Sequence, residues 1–262
     1  MSLLVVIDAN NQLHRLYHAM GAYDAAQAWM RHLDAFCYDL AKGDRSRVYV
    51  AFDGDRGTAW RRELVPAYKG NRDDKKSDLI ELLSGAVMAS TEAGFETFNV
   101  PEAEADDVVA AIVTRHSSEK AIVVSSDKDL HQLLECGRVN QLRKYSVSKG
   151  SVVGRVWYTA DNFIEEYGVK PLQWPTWKAI AGDSSDNMSG VPRCGPVCAS
   201  AVLKLFPTLL AVAEAQQFLL PCKAHERKAI VAALTSGDLA KWETIATLRR
   251  DCLDLALAEG GA

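Results

Sequence analysis

The 262-residue sequence lacks any apolar run near the roughly 18 to 20 residues that a membrane-spanning helix requires, so no helical membrane span and no membrane partner are expected. Its opening, MSLLVVIDAN, has neither a positively charged leader nor a small-residue cleavage site. It is expected to form a buried strand rather than a signal peptide, in a cytoplasmic protein. Cysteine is sparse: Cys37, Cys136, Cys194, Cys198, Cys222 and Cys252 are scattered, which favours reduced thiols over a disulfide framework. Only Cys194 and Cys198 are closely spaced, and no histidine or second cysteine pair completes a zinc pattern in the sequence. Internal repeats and low-complexity tracts are missing, which excludes solenoids and disordered arrays. A basic excess is missing too, and a net charge of −4 argues against indiscriminate coating of nucleic acid.

What is present is an ordinary globular composition, 48% hydrophobic and 24% charged, long enough for one large domain or a domain with a smaller appendage. Three short apolar runs rich in Val and Ile, LLVVID (3 to 8), VYVAFD (48 to 53) and AIVVSSD (121 to 127), predict buried parallel strands, each ending on aspartate. Segments of helical character between them, notably 25 to 41 and 104 to 115, supply the crossovers that parallel strands require. The alternation predicts an α/β fold, mainly a parallel sheet flanked by helices. Ligands of such sheets bind beyond the carboxyl ends of the strands, so Asp8, Asp53, Asp127 and Asp129 are expected to converge at one edge. From about residue 160 the pattern turns helical, with Gly and Pro clustered from 182 to 196 as a tight hairpin between helices. The expected division is an α/β core over 1–165 and a helical C-terminal region over 166–262, with the hairpin at about 178–206.

The stretch PEAEADDVVA (101 to 110) crowds Glu104, Asp106 and Asp107 before an apolar run. A helix from Glu104 would place Val108, Val109, Ile112 and Val113 on one face and the three acids across an arc on the other. Acids are ordinary at a helix N-terminus, and aspartate is an ordinary N-cap, so each carboxylate alone has a structural explanation. Together with Asp183 and Asp186 in GDSSDN they form a set of nine, and like charges gathered closely raise one another's pKa unless a cation sits among them. Oxygen donors without His or Cys select Mg²⁺ or Mn²⁺ over zinc. Two such ions would suit phosphodiester hydrolysis. With those nine committed, 25 acids face 30 Lys and Arg, a balance of +5 that admits a polyanionic substrate.

WRRELVPAYKGNRDDKK (60 to 76) interleaves Arg61, Arg62, Lys69, Arg72, Lys75 and Lys76 with Trp60 and Tyr68, a combination that holds phosphates and stacks bases, or that forms a solvated charged loop. In GVPRCGPVCASA the hairpin leads into a helix whose first turn carries free N–H groups suited to phosphate.

These blocks, with VIDANNQLHRLYHA, VAFDGDRGTAWRRELVPAYKGNR, VSSDKDLHQLL, GDSSDNMSGVPRCGP and IATLRRD, resemble the structure-specific 5′ nuclease family in its own order, from about residue 3 to 251. That family includes flap endonucleases, the 5′ nuclease domain of bacterial DNA polymerase I and phage 5′ to 3′ exonucleases. The resemblance implies a PIN-like nuclease core with a C-terminal helix-hairpin-helix. It also implies a monomeric, two-metal 5′ to 3′ exonuclease and flap endonuclease, using Mg²⁺ or substituting Mn²⁺, on DNA with 5′ ends or flaps and on RNA primers. By position, Asp8, Asp53, Glu104, Asp106 and Asp107 would serve one metal, and Asp127, Asp129, Asp183 and Asp186 the second. Lys69 and Arg72 would contact the scissile phosphate. Arg15, Arg61, Arg62, Tyr68, Lys75, Lys76, Gly190, Arg193 and Gly195 would contact DNA, and the family hairpin often holds K⁺. Arg193 stands where the family has glycine, and Val197 and Cys198 where it has a polar pair, so the hairpin departs from the K⁺-binding pattern. A PIN-type ribonuclease shares the carboxylate chemistry but lacks the GDSSDNMSGVP hairpin. A non-catalytic DNA-junction binder would have no use for nine clustered acids. A nuclease without a polymerase domain fits a phage or an accessory bacterial enzyme, in the host cytoplasm in the first case.

Overall fold

A computed structural model describes residues 3–72 and 76–254. In chain order the elements are β1 (Leu3–Asp8), α1 (Ala9–Asp39), β2 (Val48–Phe52), α2 (Ala59–Leu64), α3 (Ser77–Glu92), β3 (Glu96–Asn99), α4 (Ala105–Arg115), β4 (Lys120–Val124), β5 (Val139–Ser148), β6 (Ser151–Tyr158), α5 (Ala160–Tyr167), α6 (Trp174–Ala181), α7 (Pro196–Leu205), α8 (Leu209–Glu214), α9 (Ala224–Ser236) and α10 (Asp238–Ala246). They divide into two compact units, one of residues 1–58, 74–159 and 249–262, the other of residues 59–73 and 160–248.

The first unit is a six-stranded sheet of order β3-β2-β1-β4-β5-β6. Strands β1 to β5 pair in parallel and β6 runs antiparallel to β5. The three runs read as strands become β1, β2 and β4, although β4 stops at Val124 and leaves Asp127 in the following loop. Alternate residues Val5, Ile7, Val48, Val50, Phe52, Ile122 and Val124 join one core with Leu13, Trp29, Leu33 and Phe36 of α1 and Leu79, Leu82 and Ala86 of α3, as a pleated strand with period two requires. Helix α4 packs on β1 and β2. Strand order reverses at β1, so the carboxyl ends of β1 and β4 open the crevice in which an α/β sheet places its chemistry. Helix α1 starts at Ala9 rather than near 25 and breaks at Gly21, whose φ of +80° suits glycine. The β5–β6 hairpin turns on Lys149 and Gly150, both at positive φ, the pairing that a two-residue turn needs to match strand twist.

The second unit is helical. An aromatic cluster of Phe163, Tyr167, Trp174 and Trp177 ties α5 to α6. Helix α6 ends at Gly182 with φ +83°, and the chain doubles back through reciprocal Asp183–Met188 backbone bonds of 2.9 and 2.8 Å. Gly190 lies so close to Gly182 that a Cβ there would meet its amide nitrogen at 2.3 Å. Pro196 then starts α7 at a position where its missing N–H costs nothing. Contrary to the expectation of reduced thiols, Cys194 and Cys198 are joined as a disulfide. No helix among the described residues is long and apolar enough to cross a membrane.

Candidate metal centre

Asp8 ends β1 and caps α1, its Oδ1 accepting the Asn11 amide at 3.0 Å and its Oδ2 the Ser125 hydroxyl at 2.7 Å. It is 2% exposed. Burial, followed by the charges of Asp127 and Asp53, pushes its pKa up to about 7, against the lowering pull of the Asn11 and Ser125 hydrogen bonds. Asp53, one residue past β2, accepts from the Asn10 amide side chain at 2.7 Å and from the Ala105 backbone at 2.9 Å. Gly54 follows because a Cβ there would stand 1.9 Å from the Val100 carbonyl. Asp127 accepts the Asp129 amide at 2.9 Å, while its own N–H reaches the Ser125 hydroxyl at 3.0 Å. Gln141 from β5 donates to the carbonyls of Ser125 (2.8 Å) and Asp127 (2.7 Å), fixing the loop beyond β4.

The opening of α4 separates its three acids. Val108, Val109, Ile112 and Val113 are buried as the periodicity predicts. Glu104 is the N-cap and Asp107 closes a capping box with it. That geometry turns Asp107 inward: it is fully buried, one oxygen accepting the Glu104 amide at 3.4 Å and the other the Arg249 amide at 2.9 Å. It does not share a solvent face with Asp106. Asp106 remains half-buried, and one oxygen each from Asp106, Asp127 and Asp129 lies within 4.8 Å of the others.

In the second unit Asp183 and Asp186 lie on the turn after α6. Lys178, 1% exposed, reaches Asp183 at 2.7 Å and Asp186 at 3.2 Å. Burial alone would raise Asp183; the Lys178 ammonium and the Ser185 hydrogen bonds outweigh it and hold the carboxyl below its ordinary range. Arg72 pairs with Asp186 at 3.1 Å, and the Lys69 amide donates to the Asp186 carbonyl at 3.1 Å, with Lys69 in the left-handed region at φ +52°. Lys178 escapes the sequence reading because a lysine in WPTWKAI carries no pattern; its spacing of five and eight from the two acids is the one signal present. The same holds for Asn10, Asn11 and Ser125, whose orienting role shows only when β1 lies beside β2 and β4.

The expected DNA contacts scatter. Arg62 and Arg193 are exposed, Arg193 at φ +66°. Gly195 is the N-cap of α7. Arg61 and Tyr68 are buried: Arg61 donates to the Ile245 carbonyl at 2.8 Å, and Tyr68 packs with Met188 and Ile245. In the first unit the Arg15 guanidinium stacks 4.3 Å from the Tyr145 ring centre, and Lys76 caps α3. Lys75 lies outside the described residues.

Residues 3–168 match the family model for the 5′-3′ exonuclease N-terminal, resolvase-like domain. The chain belongs to the 5′-3′ exonuclease family. Its relatives in that family include a protein named flap endonuclease Xni from Aeromonas hydrophila, 32% identical over 245 residues that cover 87% of each chain. A second Xni, from Vibrio campbellii, is 32% identical over 95% of this chain and 91% of its own. Among solved structures, T5 5′-exonuclease with bound zinc superposes with a TM-score of 0.80 at 24% identity, over 99% of this chain and 94% of that one. The catalytic core of Rad2 bound to DNA gives 0.55 at 14%, covering 96% and 81%. These structural likenesses establish the shared fold, and membership of the family makes the chain a nuclease.

Proposed function

We propose that the chain hydrolyses DNA phosphodiester bonds at 5′ ends and 5′ flaps with divalent metal, Mg²⁺ in the cell and Mn²⁺ in its place, at the acids of the first unit. The observation that carries this reading is the meeting of Asp106, Asp127 and Asp129 within 4.8 Å beside the buried Asp8. The donor set fits the ion: hard oxygens alone, with no sulfur or imidazole among them, suit Mg²⁺ and Mn²⁺. Asp106, Asp127 and Asp129 would hold it, with Asp8, Asp53 and Glu104 gathered around. When bound, such an ion acidifies water and stabilises the charge that develops on the leaving oxygen.

The chain's own residues supply the rest. Asn10, Asn11 and Ser125 fix the carboxylates of Asp8 and Asp53 in advance. Lys69 and Arg72 are assigned to the substrate phosphate, a role supported by the YKGNR resemblance and by the partial exposure of Arg72. The exposed Arg193 and the start of α7 are assigned to duplex backbone. The printed names of the Xni relatives support flaps as substrates. RNA primers annealed to DNA are a second substrate class.

The test is cleavage of a 5′-labelled flap duplex with Mg²⁺. Short 5′ products are expected, absent with EDTA and with Asp127→Asn. Binding of the flap without cleavage by the wild-type protein would overturn the catalytic reading, and preference for single-stranded RNA over the flap would favour a PIN-type ribonuclease.

A further inference from the structure

Three sulfurs gather in the second unit where the sequence shows only one close cysteine pair. Cys194 closes the hairpin and Cys198 sits in the first turn of α7, both buried and bonded to each other. Cys222 arrives from the segment before α9, and Glu226 lies in the first turn of that helix. The Cys198 and Cys222 sulfurs and a Glu226 carboxylate oxygen all lie within 4.8 Å of one another. They line a cavity of about 700 Å³ together with Lys223 and Arg227.

We propose that, once the Cys194–Cys198 bond is reduced, this cluster is a structural zinc site with Cys194, Cys198, Cys222 and Glu226 as its four ligands. A dithiol or phosphine reductant supplies two electrons, two protons complete the thiols, and the reductant is oxidised in turn. Zinc then displaces the three thiol protons.

Four arguments converge. Three thiolates and one carboxylate fill a tetrahedral shell. The ligands come as two pairs, CGPVC and CKAHE, each with its first member just before a helix N-cap and its second in that helix's first turn, and the Cα atoms of Cys194 and Cys198 are 5.3 Å apart. The loop carrying Cys222 is already anchored, because Arg227 donates to its carbonyl at 2.8 Å. The excess negative charge of three thiolates and a carboxylate around one dication is offset by the Lys223 and Arg227 that line the cavity.

The neighbourhood also needs such a clamp. Between α7 and α9 only Val212 and Leu220 are buried apolar residues, while Leu210, Phe218 and Leu219 are exposed. A segment with so little core gains most from a metal that ties its ends. Thiolates select zinc over Mg²⁺, whereas the acids of the first unit have the opposite taste, so the two sites are chemically separable.

The experiment is alkylation of the folded, phosphine-reduced protein by iodoacetamide, read residue by residue by mass spectrometry. One equivalent of Zn²⁺ is expected to slow modification of Cys194, Cys198 and Cys222 by roughly tenfold or more, with exposed Cys136 unchanged and millimolar Mg²⁺ without effect. Cys222→Ser should remove the protection of Cys194 and Cys198. A thiolate-to-metal absorption band on adding Co²⁺ to the wild-type protein gives a reading that needs no variant. Equal modification with Zn²⁺ and Mg²⁺, protection that survives Cys222→Ser, or Co²⁺ binding without that band would each overturn the assignment.

Discussion

Replacing Asp8 by asparagine is expected to stabilise the metal-free protein while abolishing its nuclease activity. In the unfolded chain Asp8 titrates at 3.8, and in the native state at about 7. Between those values the native state keeps a proton that the unfolded chain has lost, so stability falls as pH rises through the window. A difference of roughly three pH units corresponds to about 4 kcal/mol, present in full only above pH 7. Asparagine removes the charge and keeps an oxygen for the Asn11 amide, though its NH₂ replaces the oxygen that accepts from Ser125. Allowing for that loss, a net gain of about 2 kcal/mol is expected, a Tm rise of roughly 4–8 °C for a chain of this size. The assay is thermal unfolding in EDTA at pH 5 and pH 8. At pH 5 the native carboxyl keeps its proton while the unfolded one has mostly lost it, so only about 1.6 kcal/mol of the penalty is present and roughly offsets the lost Ser125 bond; the two proteins should differ little there and diverge at pH 8. Adding Mg²⁺ at pH 8 should raise the Tm of the wild type more than that of Asp8→Asn. A variant less stable than wild type at pH 8 in EDTA, or a difference independent of pH, would refute the idea that this carboxylate is held charged only at the expense of folding.

Neighbouring acids on α4 should respond in different ways. Asp107→Asn removes one of two acceptors for the Glu104 and Arg249 amides and should cost about 1–3 kcal/mol by denaturant unfolding, whereas Asp106→Asn should weaken Mn²⁺ binding measured by electron paramagnetic resonance. Lys178→Met leaves the half-buried Asp183 and the buried Asp186 without their shared ammonium, and a loss of about 3 kcal/mol, roughly 10 °C in Tm, is expected by calorimetry. Lys69→Ala, tested on a flap duplex, should lower kcat far more than duplex affinity; an equal loss of both would make Lys69 a positioning residue.

The core strands and the helix face of Val108 to Val113 are legible because burial writes itself as apolar period and length. The β5–β6 hairpin is not read from the sequence: VNQLRKYSVS and SVVGRVWY, the second of them at the sheet edge, carry polar residues that mask the pattern, and the Lys149–Gly150 turn is the weak signal that marks them. Among the site residues, acids announce themselves by crowding. Their division of labour does not, because Asp107 is buried by its capping box with Glu104 and by the Arg249 amide, which arrives from a segment 142 residues along the chain. Arg61 and Tyr68 illustrate the converse. A basic-aromatic stretch signals a nucleic-acid surface in one dimension, yet their burial against residues near 245 is a long-range fact that local composition cannot carry.

Asp183 and Asp186 are held by different means from Asp8 and Asp127, and the difference bears on which of these four await a cation. Asp183 and Asp186 are held by full positive charges on Lys178 and Arg72. Asp8 and Asp127 are oriented by neutral donors, the Asn11 and Asp129 amides and the Ser125 hydroxyl, which fix direction without cancelling charge. A carboxylate held in this way keeps its attraction for a divalent ion, and its orientation depends on very few atoms. Ser125 is the most exposed to test, since its fully buried hydroxyl donates to Asp8 at 2.7 Å and accepts from the Asp127 amide at 3.0 Å. Ser125→Ala should therefore weaken divalent-ion affinity by roughly 10-fold or more through two carboxylates at once, as loss of a ligand's supporting partner generally does. Saturating Mg²⁺ should restore most of the activity, because the ligands themselves remain. Unchanged Mn²⁺ affinity in the variant would show that the acids of the first unit are positioned by packing alone.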